Sequence, residues 1–168
     1  EMCIRDRPKG RSKSLVFSPV KEEAVAHGIT VLQPERARDE AFVEELRTYN
    51  ADVIVVVAFG QLLPASIINM PGYGCINVHA SLLPKYRGAS PIQWAVIDGC
   101  EYSGVTTMKM DEGLDTGDIL MVEKVKLDAK ETGGSLFDRL SDVGAQLLVK
   151  TLEGLEAGTI TPVKQDDS

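Results

Sequence analysis

The 168-residue chain is poor in the residues that build metal centres and covalent frameworks. It has two histidines, His27 and His79, and three cysteines, Cys3, Cys75 and Cys100, none in a CxxC pair. A closed tetrahedral zinc set cannot be assembled from that stock, so no metal is expected. An odd number of unpaired thiols speaks against a disulfide-stapled secreted domain and for a reducing, cytoplasmic compartment. Long hydrophobic runs are lacking too. The longest, residues 53–59, is far below the ~20 apolar residues needed to cross a bilayer. The first residues carry no apolar stretch of the signal-peptide kind, and no membrane partner is expected. There is no internal repeat, no low-complexity segment and no GxSxG elbow for a serine nucleophile. The alternating acids and sixth-position glycine of an EF-hand are also missing.

What is present describes a soluble globular domain: 43% hydrophobic and 26% charged residues, in a length that suits one domain with a real core. The net charge of −7 is unevenly spread. Residues 1–13 hold Arg5, Arg7, Lys9, Arg11 and Lys13 against Glu1 and Asp6, a balance of +3 that leaves −10 for the rest. The body repels a polyanion, and only the basic leader favours nucleic acid.

Residues 5–14, RDRPKGRSKS, show no apolar periodicity and read as an exposed basic loop. Ser18-Pro19 opens a helix, with Glu22 and Glu23 in its first turn, and Gly28 ends it. Residues 29–32 are expected to form a short strand. Asp39 caps a second helix with Phe42, Val43 and Leu46 on one face. Residues 51–58, apolar and mostly β-branched from Val53 onward, read as a strand covered by helices on both sides. A helix around 64–69, a strand at 75–79, a helix at 91–97, strands at 104–110 and 119–127, and a long helix at 135–155 follow. Leu136, Leu140, Leu147, Leu148 and Leu152 line the last. This alternation predicts an α/β fold with a mostly parallel sheet.

The residues that carry chemistry lie on both sides of that sheet's middle. Asn77 and His79 close a strand, and period-two alternation turns both to one face. A lone histidine is more often a satisfied core residue. Here that reading must also explain a same-face asparagine and the SLLPKYRG loop directly after it. Asp111, Glu112, Asp115 and Asp118 crowd a loop with Gly113 and Gly117; for Asp111, Glu112 and Asp118 a solvated acidic turn explains as much as function does. Ser81 is badly placed to attack as the nucleophile of a hydrolase and suits a backbone hydrogen bond better. An asparagine, a histidine and an aspartate without a protein nucleophile fit transfer chemistry in which the substrate supplies the nucleophile.

At these residues the sequence resembles the folate-dependent formyltransferase family. The match is NVHASLLPKYRGASPIQ, residues 77–93, then DEGLDTGDIL, residues 111–120, with His79 and Asp115 separated by 36 positions as in that family. The stretch 87–94, RGASPIQW, and the basic 6–13 followed by SPVK resemble the branch acting on charged initiator tRNA. The resemblance implies a Rossmann-like formyltransferase fold and the catalytic set Asn77, His79 and Asp115. It implies transfer of a formyl group from 10-formyltetrahydrofolate to the amino group of methionyl-initiator-tRNA. Folate contacts are implied at Phe59, Gly60, Gln61, Leu62 and Leu63 and at Asp111, Glu112, Gly113 and Leu114. For Leu62 and Leu63, ordinary core is nearly as good an account. Lys9, Arg11 and Lys13 are implied as tRNA contacts, with Lys85 and Arg87 on the solvent side of their loop. Other amine acceptors, such as glycinamide ribonucleotide or an amino sugar, folate hydrolysis, a non-catalytic folate-binding module and a serine hydrolase are the competing readings.

Against the family pattern, the expected first β-α-β elements are missing. Residues 1–5 match nothing in it and read as a non-native start. Residues 6–160 read as a partial catalytic domain and 161–168 as the start of a linker to an absent C-terminal domain. A monomer is expected, poorly stable and nearly inactive by itself.

Overall fold

The structure is a computed structural model and describes residues 7–8 and 15–166. It opens with two paired dipeptides, β1 (Arg7–Pro8) and β2 (Leu15–Val16), which run antiparallel. The basic residues expected to meet tRNA, Lys9, Arg11 and Lys13, lie between them and outside the described residues.

Helix α1 (Pro19–Ala26) starts as its sequence dictates. The Ser18 hydroxyl accepts the Lys21 N–H at 3.3 Å, and Pro19 occupies the first turn. Gly28 takes φ +67° just beyond the end, a conformation open to glycine without a Cβ clash. Residues 29–32 form no strand, which corrects the expectation from their β-branched pattern. No ladder partner lies beside them among the described residues, and Ile29 is exposed. Propensity alone does not hold a strand without a neighbouring edge. Helix α2 (Glu40–Thr48) buries Val43 and packs Phe42 and Leu46 against the core, although its Asp39 cap makes no side-chain hydrogen bond.

A four-stranded sheet follows in the order β3 (Ile54–Val57), β4 (Cys75–His79), β5 (Tyr102–Lys109) and β6 (Asp118–Lys126). Helices α3 (Ala65–Ile68), α4 (Pro91–Ile97) and α5 (Gly133–Glu156) complete it. The α/β class is as expected, but the sheet is mixed rather than mostly parallel. Only β3 and β4 run parallel; β4–β5 and β5–β6 are antiparallel. Residues 110–117 are too few for the crossover that a parallel β5–β6 pair would need, so the chain turns back as a hairpin. Residues 103–108 are buried throughout because β5 is covered on both faces, and the alternation of helices with strands that suggested a mostly parallel sheet breaks down at this hairpin.

Register assigns the two faces. Asn77 pairs with Met108 and His79 with Thr106, so these four share one face. Val78, Val105 and Thr107 turn to the other, where α5 lies. There Leu136, Leu140 and Leu147 form a buried cluster with Val105, Ile92 and Ala95. Each such leucine contributes about 2 kcal/mol by leaving water. Thr151 and Thr107 share a hydrogen bond of 2.8 Å in the same layer. On the first face Ala37, Val43, Val56, Ile67 and Cys75 make a second cluster under α2 and α3. The sheet is thus the middle of three layers. Its β3 margin is not covered on both sides as expected: Val55 and Val57 are exposed.

Candidate active site

The site is built where β4 ends. Asn77 and His79 project from it to the same face, as alternation requires, and both meet one carboxylate. The Asn77 Nδ2 donates to Asp115 Oδ1 at 3.3 Å, and His79 Nδ1 stands 3.6 Å from Asp115 Oδ2. The Asp115 Oδ2 also accepts the Gly88 N–H at 2.8 Å. The His79 and Asp115 side chains are 8% and 14% exposed, so the pair interacts in a medium much less polar than water.

Asp115 reaches this position through an unusual backbone. Its loop leaves β5 level with the start of β4, where the Met110 N–H donates to the Cys75 carbonyl at 2.8 Å, and must double back over the strand. Two local features permit it. Asp115 itself adopts φ +53°, which aspartate tolerates better than most residues. Gly117 passes so close to β5 that a Cβ there would sit 1.9 Å from the Lys109 carbonyl oxygen. Asp111 shapes the loop's outer part, its Oδ1 accepting from the Gly113 N–H at 3.0 Å and the Thr116 hydroxyl at 2.8 Å.

The loop after His79 supplies the opposite wall. It contains a cis Leu83–Pro84 bond and is anchored from inside. The Ser81 hydroxyl donates to the Lys85 carbonyl at 2.6 Å, the backbone role expected of it. Thr106 of β5 donates to the Ser81 carbonyl and accepts from the Leu83 N–H. His79 Nε2 lies 2.9 Å from the Tyr86 carbonyl, which can only accept, so that nitrogen is the donor. A doubly protonated ring would therefore find an acceptor at Nε2 and a carboxylate beside Nδ1. Tyr86 is fixed in turn. Its hydroxyl donates to Asp98 at 2.6 Å, and that carboxylate, helped by the Cys100 sulfur, pushes the phenol up to about 12.

Two residues stand where the sequence did not put them. Arg87 is not on the solvent side of its loop: it is half-buried and its Nε donates to Gln165 Oε1 at 2.9 Å. Gln165 was missed altogether, because its partners are 48 to 78 positions away and no local pattern marks it. The Tyr86 carbonyl and Gly88 N–H were missed for another reason: backbone groups carry no sequence signal.

The residues expected to meet folate have mixed placements. Phe59 and Leu63 are half-buried against the second apolar cluster, against which Met110, at the head of the Asp115 loop, also packs. Gly60 has φ +70°, and the Gln61 side chain accepts the Ala37 N–H at 3.0 Å. Leu62 and Leu114 are exposed, at 81% and 62%, and Asp111, Glu112 and Gly113 are exposed with them. Leucines so open to water are not held by the core, which leaves them free to meet a ligand. Among the described residues no group of three or more His, Cys, Asp or Glu is placed to hold a metal ion. No helix among them is long and apolar enough to cross a membrane.

Chemically, the centre offers amide and imidazole donors around one carboxylate, with no nucleophile of its own. Comparison with known proteins places the chain in a family. The model of the family described as formyl transferase matches residues 2–152. A methionyl-tRNA formyltransferase of Lachnospira eligens is 97% identical over 163 residues, covering 97% of this chain and 52% of that protein. The chain spans about half the length of the curated relatives it matches. Among solved structures, glycinamide ribonucleotide transformylase 1 from Symbiobacterium toebii superposes with a TM-score of 0.78 at 19% identity, over 94% of this chain and 77% of that one. The formyltransferase PseJ from Anoxybacillus kamchatkensis, in complex with a formamido sugar nucleotide and tetrahydrofolate, does so at 0.71 and 22%, over 91% and 79%.

Proposed function

The chain belongs to the formyl transferase family, and on that premise we propose that it transfers a formyl group from 10-formyltetrahydrofolate to the amino group of methionyl-initiator-tRNA in the cytoplasm. The observation that carries the reading is the single carboxylate of Asp115, shared by Asn77, Gly88 and His79 with no protein nucleophile beside it. Hydrolases of the acyl-enzyme kind need such a nucleophile. A centre without one suits an amine that arrives with the substrate.

The chemistry follows from the donors. The amine of the aminoacyl group attacks the formyl carbon, and the carbonyl oxygen becomes an oxyanion. Asn77 has a second amide N–H beyond the one given to Asp115, and that N–H bonds the oxyanion, while a protonated His79, its two N–H groups facing Tyr86 and Asp115, stabilises it through its charge. Asp115 orients His79 and balances its charge. As the intermediate collapses, the C–N bond to folate breaks and the proton lost by the attacking nitrogen ends on the folate nitrogen. The products are the formylated amine and tetrahydrofolate. The exposed Leu62 and Leu114 and the half-buried Phe59 offer apolar contacts to the pterin. Lys9, Arg11 and Lys13 contact tRNA phosphate in this scheme.

The choice of acceptor rests on likeness to the Lachnospira protein, since the fold itself is shared with enzymes that formylate other amines. The deciding experiment uses the protein expressed from its complete gene with 10-formyltetrahydrofolate. Release of tetrahydrofolate should depend on charged initiator tRNA. Equal release without tRNA overturns this acceptor and favours hydrolysis.

A further inference from the structure

Residues beyond α5 return to the sheet instead of leaving it. Ile119 at the start of β6 and Val163 exchange two backbone hydrogen bonds of 2.8 and 2.9 Å, a one-residue antiparallel bridge. Two positions later the Gln165 side chain is inserted between both walls of the site. Its Nε2 donates to the Asp115 carbonyl at 2.9 Å and to the Gly117 carbonyl at 2.7 Å. Its Oε1 accepts from Arg87 Nε at 2.9 Å. One amide group thus spends both donors on the Asp115 loop and its acceptor on the loop that follows His79.

We propose that Gln165 is a positioning residue for the formyl-transfer centre: it sets the spacing between the Asp115 loop and the His79 loop, and so the aim of the Asp115 carboxylate. The proposal rests on the reading of this site as a formyl-transfer centre. Asp115 needs such support more than an ordinary residue does. Its left-handed backbone is a conformation that the rest of the structure must hold in place, and a bond to its own carbonyl helps to do so. The Gly117 carbonyl lies at the point where the loop comes nearest β5, so fixing both carbonyls leaves the intervening residue little freedom. The bond to Arg87 extends the constraint across the site, because Arg87 is adjacent to both Tyr86, whose carbonyl holds His79, and Gly88, whose N–H holds Asp115. Only an uncharged amide supplies two donors and an acceptor here. A carboxylate of the same shape would face two carbonyl oxygens with oxygen.

The test uses the protein expressed from its complete gene, with 10-formyltetrahydrofolate and charged initiator tRNA. Gln165→Ala is expected to lower kcat about 10-fold to 100-fold, the scale of a misplacement near 1 Å, while KM for the folate stays within about two-fold. Gln165→Glu, which preserves volume, is expected to lose as much. In the Asp115→Asn background, Gln165→Ala should cost nothing further in residual rate, because its effect runs through Asp115. An unchanged kcat in Gln165→Ala overturns the proposal, as does a Gln165→Glu protein with wild-type kcat. Should Gln165→Ala not fold, the Gln165→Glu protein decides by the same kcat criterion. Absence of transfer by the wild-type protein sinks the formyl-transfer reading itself, a result distinct from either variant outcome.

Discussion

Asp115 joins an uncommon backbone angle to a crowded carboxylate, and its two roles separate by substitution. Asparagine tolerates the same left-handed conformation and keeps an oxygen for Gly88, but removes the charge beside His79. Asp115→Asn is therefore expected to lower the transfer rate about 100-fold to 10,000-fold, the range for losing acid–base assistance. Folate binding measured by equilibrium titration should stay near wild type; a rate left intact would remove Asp115 from the mechanism. A second residue-scale prediction concerns thiols. Burial pushes the Cys75 thiol up to about 11 from its ordinary 9.0. Its folded pKa is raised, so its contribution to stability is whole below pH about 9 and is lost as the pH climbs toward about 11. Alkylation of the native protein at pH 8, mapped by peptide mass, should mark the half-exposed Cys100 and spare Cys75. The sequence made Asn77 and His79 legible through simple alternation. Asp115 stood out as one acid of a glycine-containing loop, and family likeness singled it out from its neighbours, since a separation of 36 positions predicts no contact. Arg87 looked like a solvent residue because its anchor, Gln165, lies far along the chain.

Elements show the same division between local and distant causes. Helix α5 begins with a reciprocal cap: the Thr132 hydroxyl accepts the Ser135 N–H at 3.1 Å, and the Ser135 hydroxyl accepts the Thr132 N–H at 3.0 Å. Thr132→Ala should cost about 1 kcal/mol, read as a lower unfolding midpoint in urea. Glu131 extends the cap. The Ser135 hydroxyl that bonds it, with the Asp128 backbone N–H and Arg139 adding to the effect, holds its carboxyl below the usual 4.5. Because that folded pKa is depressed, the stabilisation is present above about pH 4.5 and fades as acid protonates the group. The stability gap between wild type and Glu131→Gln should close accordingly. Gly117→Ala tests the loop: a methyl group 1.9 Å from a backbone oxygen forces the loop off β5. The expected result is loss of transfer with α5 and its cluster retained by circular dichroism. Helix limits and caps such as Ser18 were readable because they depend on residues a turn away. Strand direction was not: alternation of helices and strands suggested parallel pairing, whereas direction depends on connection length, and no helix separates β5 from β6.

Charge is the property that belongs to the whole molecule. The net −7 places most of this chain's surface against a polyanion, so within these residues the proposed attraction for tRNA falls to the few cations in residues 5–13. Arg11→Ala should weaken binding of initiator and elongator tRNA alike and reduce the steepness of the salt dependence by about one unit of log–log slope. An unaltered slope would remove Arg11 from the phosphate contacts. The clamp made by Gln165 has a temporal side as well. Its partner Asp115 precedes it by 50 residues, which at about 5–20 residues per second is roughly 3 to 10 s of translation. During that interval a nascent chain already holds Asn77, His79 and Asp115, and only the Gly88 N–H joins the two loops, without the Gln165 amide. The candidate site matures in an order set by synthesis, and its Gln165 clamp forms only after the segment behind α5 has emerged from the ribosome.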